Sequence, residues 1–294
     1  MQEPSDRNSR LAIAAALLAV IAVGGAGFLL GRTTAPRLAP VETPTPTPEA
    51  EPTQQAPRIL GRADLIALAN AAGDAFASGQ PMPSSVSDAA GQRFELLLPF
   101  GCTGSDPEST APMRWSHDPD RRTLRATVIP EAWSAADWGL EPATPPGTDG
   151  TARATTPPAT AAEGFWITRP WSSGDICPPA FAGIPDPAVA PRQTLAIAHF
   201  IQGEADAATR RDRRPFETVQ RMPVGTFDGS RGLRVRVTGR VSASPGSEAV
   251  LCLQSAGPEQ RPVCAIAATL NEVSIENPVT GQTLATWPFA RSPR

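Results

Sequence analysis

Apolar residues are spread along this chain in textures that change abruptly. Leu11–Leu30 (LAIAAALLAVIAVGGAGFLL) runs for twenty residues without a charge. At about 1.5 Å of rise per residue, that length covers about 30 Å, the hydrocarbon thickness of a bilayer. The pattern predicts one transmembrane helix over residues 11–31 behind a cytoplasmic stub of residues 1–10. A cleaved signal peptide is the rival reading, with Leu11–Val23 as its apolar region and Gly25-Ala26-Gly27 near the cut. Phe28-Leu29-Leu30 continues the apolar run past that cut, which favours an uncleaved anchor. Thr33–Pro57 then carries seven prolines and almost nothing able to enter a core. Residues 32–58 therefore read as a Pro/Thr-rich linker in extended polyproline II conformation.

Periodic structure starts near Ile59. Leu65, Leu68, Ala69, Ala72 and Phe76 recur at three- and four-residue steps, predicting one amphipathic helix between Gly61, with Asp64 in its first turn, and the stop at Gly79 and Pro81. From Arg93 the period shortens, and the apolar run Phe94–Phe100 leads to Cys102 as a buried strand. Met113, Trp115 and His117, then Leu124, Ala126 and Val128, alternate with polar residues around a turn at Asp118–Arg121, the pattern of a hairpin. Setting His117 opposite Arg122 keeps one face apolar. Pro130–Leu140 reads as a loop, and Glu141–Ala162 returns to linker composition as a low-complexity insertion.

Ordered chain resumes at Gly164–Thr168 and reaches an apolar strand at Leu195–Ile201. Arg210–Arg214 reads as a solvated turn or short helix. In Leu233–Ala243, Leu233, Val235, Val237 and Val241 face one way and Arg234, Arg236 and Arg240 the other, with Gly239 marking a bend. Ala249–Gln254, Val263–Leu270, Val273–Glu276 and Gln282–Trp287 complete a meander-like order. The expected fold is mainly β, an antiparallel sandwich or small barrel with one N-terminal amphipathic helix, spanning residues 59–294 with the insertion at 141–162.

Composition changes this picture in two places. Every basic residue is arginine, so phosphate-binding lysines of the Walker type, Schiff bases and Ser–Lys dyads are excluded. The four cysteines, Cys102, Cys177, Cys252 and Cys264, contain no C-x-x-C and point to two disulfides in an oxidising compartment. That fixes the expected topology as a single-pass bacterial inner-membrane protein, N-terminus cytoplasmic and C-terminal domain periplasmic. Cys252 and Cys264 lie on neighbouring strand candidates, and pairing them sets Val250 against Ile266. Cys102 is left for Cys177. The net charge of −3 nominates no nucleic acid.

Candidate chemistry is sparse. His117 and His199 are the two histidines, and they supply no metal-ligand spacing; no cofactor is expected. Ser172 and Ser173 beside either histidine make a serine-type periplasmic hydrolase the alternative reading, without the G-x-S-x-G context such a nucleophile uses. Trp133 and Trp138, in the loop-like stretch, and the Arg234/Arg236/Arg240 stripe are candidate contacts to a ligand or partner, the arginines otherwise being a solvated strand face. The leading expectation is a non-enzymatic, membrane-anchored protein that binds an envelope protein or a cell-wall component.

Overall fold

The computed structural model describes residues 58–140, 159–178, 193–254 and 257–290. The stub, the span at 11–31 and the linker lie outside them. So does most of the 141–162 insertion. No helix among the described residues is long and apolar enough to cross a membrane.

The chain is mainly β, with two sheets around one core. In chain order the helices are α1 (Arg62–Ala77), α2 (Ser84–Ser87) and α3 (Gly203–Thr209). The strands are β1 (Arg93–Phe100), β2 (Met113–Asp118), β3 (Thr123–Val128), β4 (Glu131–Ser134), β5 (Ala159–Trp166), β6 (Leu195–Gln202), β7 (Phe216–Arg221), β8 (Leu233–Val241), β9 (Val250–Leu253), β10 (Val263–Glu276) and β11 (Thr283–Pro288). The larger sheet has the order β1-β8-β10-β6-β5-β4, with β9 and β11 also paired to β10, and the smaller has the order β2-β3-β7.

Strand β10 organises the larger sheet because its two halves take different neighbours. Cys264–Ala267 runs parallel to β6 and antiparallel to β9, whereas Ala268–Glu276 runs antiparallel to β8, with β11 pairing from Glu272 onward. Two separate strands, Val263–Leu270 and Val273–Glu276, are expected from the pattern; the structure has one, with a bulge between Leu270 and Glu272. The extra residue switches side-chain parity, so Leu270, Val273 and Ile275 all enter the same core. Gly239 lies opposite Leu270, and a Cβ there would sit 2.2 Å from the Thr269 carbonyl. Close approach of two backbones, rather than a bend in β8 alone, demands this glycine.

The main core joins Phe94, Leu96 and Leu98 of β1, Val235 and Val237 of β8, and Ile266, Val273 and Ile275 of β10 to Leu65, Ala69 and Ala72 of α1 and to Leu124, Ala126 and Phe216 of the smaller sheet. Residues before and after the 141–162 segment thus share one core. Helix α1 starts as its sequence indicates, with the Asp64 carboxylate accepting the Gly61 N–H at 2.9 Å. Its buried face is turned from the expected one, since Ile66 is buried and Phe76 is 42% exposed.

Several sequence expectations are corrected. His117 pairs with Leu124, Trp115 with Ala126 and Met113 with Val128, two residues from the expected register. The turn is Pro119–Arg122, equally long but one residue further along, closed by Asp118 Oδ1 accepting the Arg121 N–H and by Arg122 at φ 54°. A shift of two preserves parity, so the same face stays apolar. Pro130–Leu140 is not a loop but β4 followed by a 3-10 turn, Ala135–Trp138, capped by Ser134. Strand β5 begins at Ala159, inside the segment of linker composition, and β7 and α3 lie where no element is expected.

Candidate functional site

A cleft lies over the outer face of the β2–β3 hairpin. Alternation sends Trp115 into the core and Ser116 outward, directly across from Arg125 on β3. Asp118 sits across from Thr123, and Arg121 projects from the turn. Residues 101–112 supply the other wall: Asp106 donates its N–H to the Trp115 carbonyl at 3.2 Å, and Ser105 Oγ accepts the His117 N–H at 2.9 Å. This wall is anchored from within. Gly101, at φ +62°, leaves room for the Trp115 ring, which a Cβ would meet at 2.2 Å, and Trp115 Nε1 donates to the Gly101 carbonyl. The cleft measures about 500 Å³ and is lined by Ser105, Ser116, His117, Asp118, Arg121 and Arg125 among others. A small cavity of about 90 Å³ on the other side of His117 is walled by Met222, Pro223, Val224 and Phe227, whose ring centre lies 5.0 Å from that of His117.

The cleft offers more donors than acceptors. The Arg125 guanidinium holds Glu217 at 2.7 Å through one nitrogen, and Arg121 lies 3.5 Å from Asp118. Both arginine side chains are largely exposed. The His117 ring nitrogens bond to no described residue, and Ser116 Oγ is also without a protein partner among them.

The sequence-derived site residues are dispersed. Ser172 Oγ accepts the Gly174 N–H at 3.2 Å, and its carbonyl accepts from Arg62 Nε at 3.1 Å. His199 Nδ1 lies 3.2 Å from the Ala268 carbonyl. No hydrogen bond joins Ser172 or Ser173 to His117 or His199 among these described residues. Trp138 is 3% exposed and packs edge-on to Trp133 at 5.5 Å, with Trp166 and Phe200 beside it. Together they cover a floor of fully buried alanines, Ala162, Ala196, Ala198, Ala265 and Ala267, on the outer face of the larger sheet. Trp133 is half-buried at the margin of that cluster.

The arginine stripe is not a solvated face. Arg234 Nε and Arg236 Nη2 both reach the Glu276 carboxylate, at 2.9 and 2.7 Å, and Glu276 is 2% exposed. Asp175 and Glu95 complete the network on Arg234 and Arg236 respectively. Arg240 stands apart, opposite Arg93, donating to the Gly91 carbonyl. The reason is register: β10 sets Glu276 across from Arg234, a pairing that alternation within β8 cannot reveal.

Both disulfides form as the sequence indicates, Cys102–Cys177 and Cys252–Cys264, the latter on directly opposed residues of β9 and β10 with Val250 across from Ile266. Two disulfides in one folded unit indicate an oxidising, extracytoplasmic compartment. The charged groups that sequence reading missed are buried. Arg62, 4% exposed, donates to the carbonyls of Leu97, Thr168, Arg169 and Ser172. Burial, and next the nearby Arg169, lower its pKa to about 10, against the opposing pull of Asp175. Glu163, 2% exposed, accepts the Arg211 and Asp212 N–H groups and Arg210 Nε. Neither carries a local sequence signal, because the partners lie tens of residues away or in loops of unrelated pattern. No family model matches the chain, and neither a curated protein nor a solved structure matches it.

Proposed function

We propose that this is a membrane-anchored envelope protein that holds a disulfide-stapled β domain outside the cytoplasm, where the domain binds another envelope protein or a cell-wall component without catalysing a reaction. The observation that carries the reading is the pair of disulfides in a domain preceded by the uncharged Leu11–Leu30. The anchor would be a single inner-membrane span with the N-terminus cytoplasmic, and the linker would give the domain reach. A binding role draws support from two of the hydrolase candidates standing in structural bonds: Ser172 Oγ accepts within its own loop while its carbonyl holds Arg62, and His199 contacts a main-chain carbonyl.

Two experiments test this. Alkaline-phosphatase fused after Pro57 should be active in a Gram-negative host; an inactive phosphatase with an active cytoplasmic reporter at the same site refutes the orientation. In-cell cross-linking with mass spectrometry should recover an envelope partner, and a Ser172→Ala, Ser173→Ala double variant should retain it and complement a deletion phenotype. Loss of complementation with the fold intact would return the hydrolase reading.

A further inference from the structure

We propose that the cleft between the β2–β3 hairpin and the 101–112 wall is a binding site for an oxyanion carried by a small polyhydroxylated molecule, the chemistry of a sugar bearing a carboxylate or phosphate group. Its volume of about 500 Å³ falls within the usual range of small-ligand sites, about 300–1,000 Å³, and would hold one or two sugar rings. The polar groups decide the sign of the ligand. Arg125 has spent one guanidinium nitrogen on Glu217 and keeps the others for the cleft, and Arg121 contacts Asp118 only at 3.5 Å. Ser116, across from Arg125, adds a hydroxyl that has no partner among the described residues. Ser105 Oγ accepts a main-chain N–H, which leaves its own proton to donate. Asp118, the carboxylate in the lining, already accepts the Arg121 N–H. A ligand entering this space therefore meets two guanidinium groups and two serine hydroxyls against one carboxylate whose Oδ1 is already engaged, so acceptors on the ligand find the most partners. Guanidinium forks favour planar or tetrahedral oxyanions, which they engage bidentately.

Preorganisation supports binding over a chance hollow. The wall is fastened to β2 through Asp106 and Ser105, its start is covalently held by Cys102, and Trp115 fills the space behind it. His117 separates the polar cleft from the small apolar cavity, with its ring against Phe227 and its nitrogens uncommitted. That places an additional donor at the inner end. The inference rests on the proposed binding function for the ligand's biological source, an acidic envelope glycan, whereas its chemistry stands on the cleft.

Isothermal titration of the full chain in detergent micelles, at low salt, tests it with three probes: glucuronate, inorganic phosphate and glucose. Binding of glucuronate or of phosphate is expected, with glucose silent, and which anion binds tells a carboxylated from a phosphorylated source. Arg125→Gln should weaken the anion by about tenfold, the usual effect of losing one charge-assisted hydrogen bond, and Arg121→Gln, Arg125→Gln together should abolish it. Arg214→Gln, outside the cleft, should change nothing. Equal binding of glucose and glucuronate, unchanged affinity in the double variant, or no heat from either anion at about 10 mM would overturn the assignment. Cross-linking in cells keeps the two readings apart: an envelope partner recovered with the unaltered chain while its titrations with both anions are silent removes this ligand and leaves the binding function standing.

Discussion

Replacing Arg62 with methionine should destabilise the domain more than any single surface change. The guanidinium sits in the first turn of α1 and is 4% exposed, yet no carboxylate contacts it. It is held by carbonyls: Leu97 at the outer edge of β1, and Thr168, Arg169 and Ser172 of the loop that leads to Cys177. A pKa brought down to about 10 from the ordinary guanidinium value corresponds to roughly 3 kcal/mol against the charged form, set first by burial and next by Arg169. Each hydrogen bond from a charged donor contributes about 1.5–3 kcal/mol, so four of them outweigh that cost. Methionine removes both, and leaves four acceptors to find water at the sheet edge; the expected net loss is about 3–5 kcal/mol. Lysine should recover part of it, because one ammonium cannot span carbonyls spread across a planar fork. Urea unfolding of the chain from Arg58 onward, followed by tryptophan fluorescence, measures this. The pH dependence adds a second check. The folded pKa lies below the unfolded one, so above about pH 10 the unfolded state holds more protons and stability rises with pH until the unfolded guanidinium titrates too. Below pH 10 the term is constant, and the methionine deficit should be the same at about pH 6 and pH 9. A deficit under about 0.5 kcal/mol would show that the carbonyls do not depend on Arg62.

The buried carboxylates give further tests. Glu163→Gln should free the loop at Arg210–Asp212 by weakening three bonds, and trypsin, which cuts after arginine, should cleave there several-fold faster; an unchanged digestion rate would refute the role. Arg234→Gln should cost more than about 2 kcal/mol by stripping a partner from buried Glu276, while Arg240→Gln should stay within about 0.5 kcal/mol, so equal melting-temperature shifts would contradict the network. Opening Cys102–Cys177 by a double serine substitution removes a closure of 75 residues, about 4 kcal/mol in the loop-entropy picture, against about 3 kcal/mol for the 12-residue closure of Cys252–Cys264. Non-reducing peptide mapping should return these two pairs, and a Cys102–Cys252 or Cys177–Cys264 peptide would disprove them.

Alternation was the readable part of this chain. It marked β1, β2, β3 and β8, because each has one buried and one wetter face, and it placed Cys252 opposite Cys264 through the packing of Val250 on Ile266. It failed where burial is two-sided or the pattern changes within an element. Strand β5, Ala159–Trp166, begins in alanine and threonine of linker composition because the alanines there are required as a flat floor beneath Trp138 and Phe200. In β10, Asn271 and Glu272 look like a break between strands, yet the Asn271 carbonyl accepts from Phe289 and the bulge carries the strand through. Trp133 and Trp138 look loop-borne because the elements that hold them are four residues each. The candidate cleft was the least legible: Ser105 and Arg125 lie on opposite walls, and it takes the hydrogen bonds from Asp106 to Trp115 and from His117 to Ser105 to bring the wall over the sheet.

The same residue type therefore does opposite work on the two sheets, and register decides which. Arg234 and Arg125 each alternate with apolar neighbours on a strand, and within a single strand they are indistinguishable. Arg234 faces Glu276 on β10, and both are drawn into the protein, where the pair with Arg236 fastens β8 to β10 and the 168–178 loop through Asp175. Arg125 faces Ser116 and lies beside Val219, with Glu217 reaching it from the next row, so one of its nitrogens is anchored and the rest stay wet. An arginine whose cross-strand neighbours are a carboxylate at full burial is committed to the fold. One whose neighbours are a hydroxyl and a partly exposed carboxylate keeps donors in reserve, as Arg125 does on β3, and on the β8 stripe Arg240 alone, outside the Glu276 network, shares that freedom.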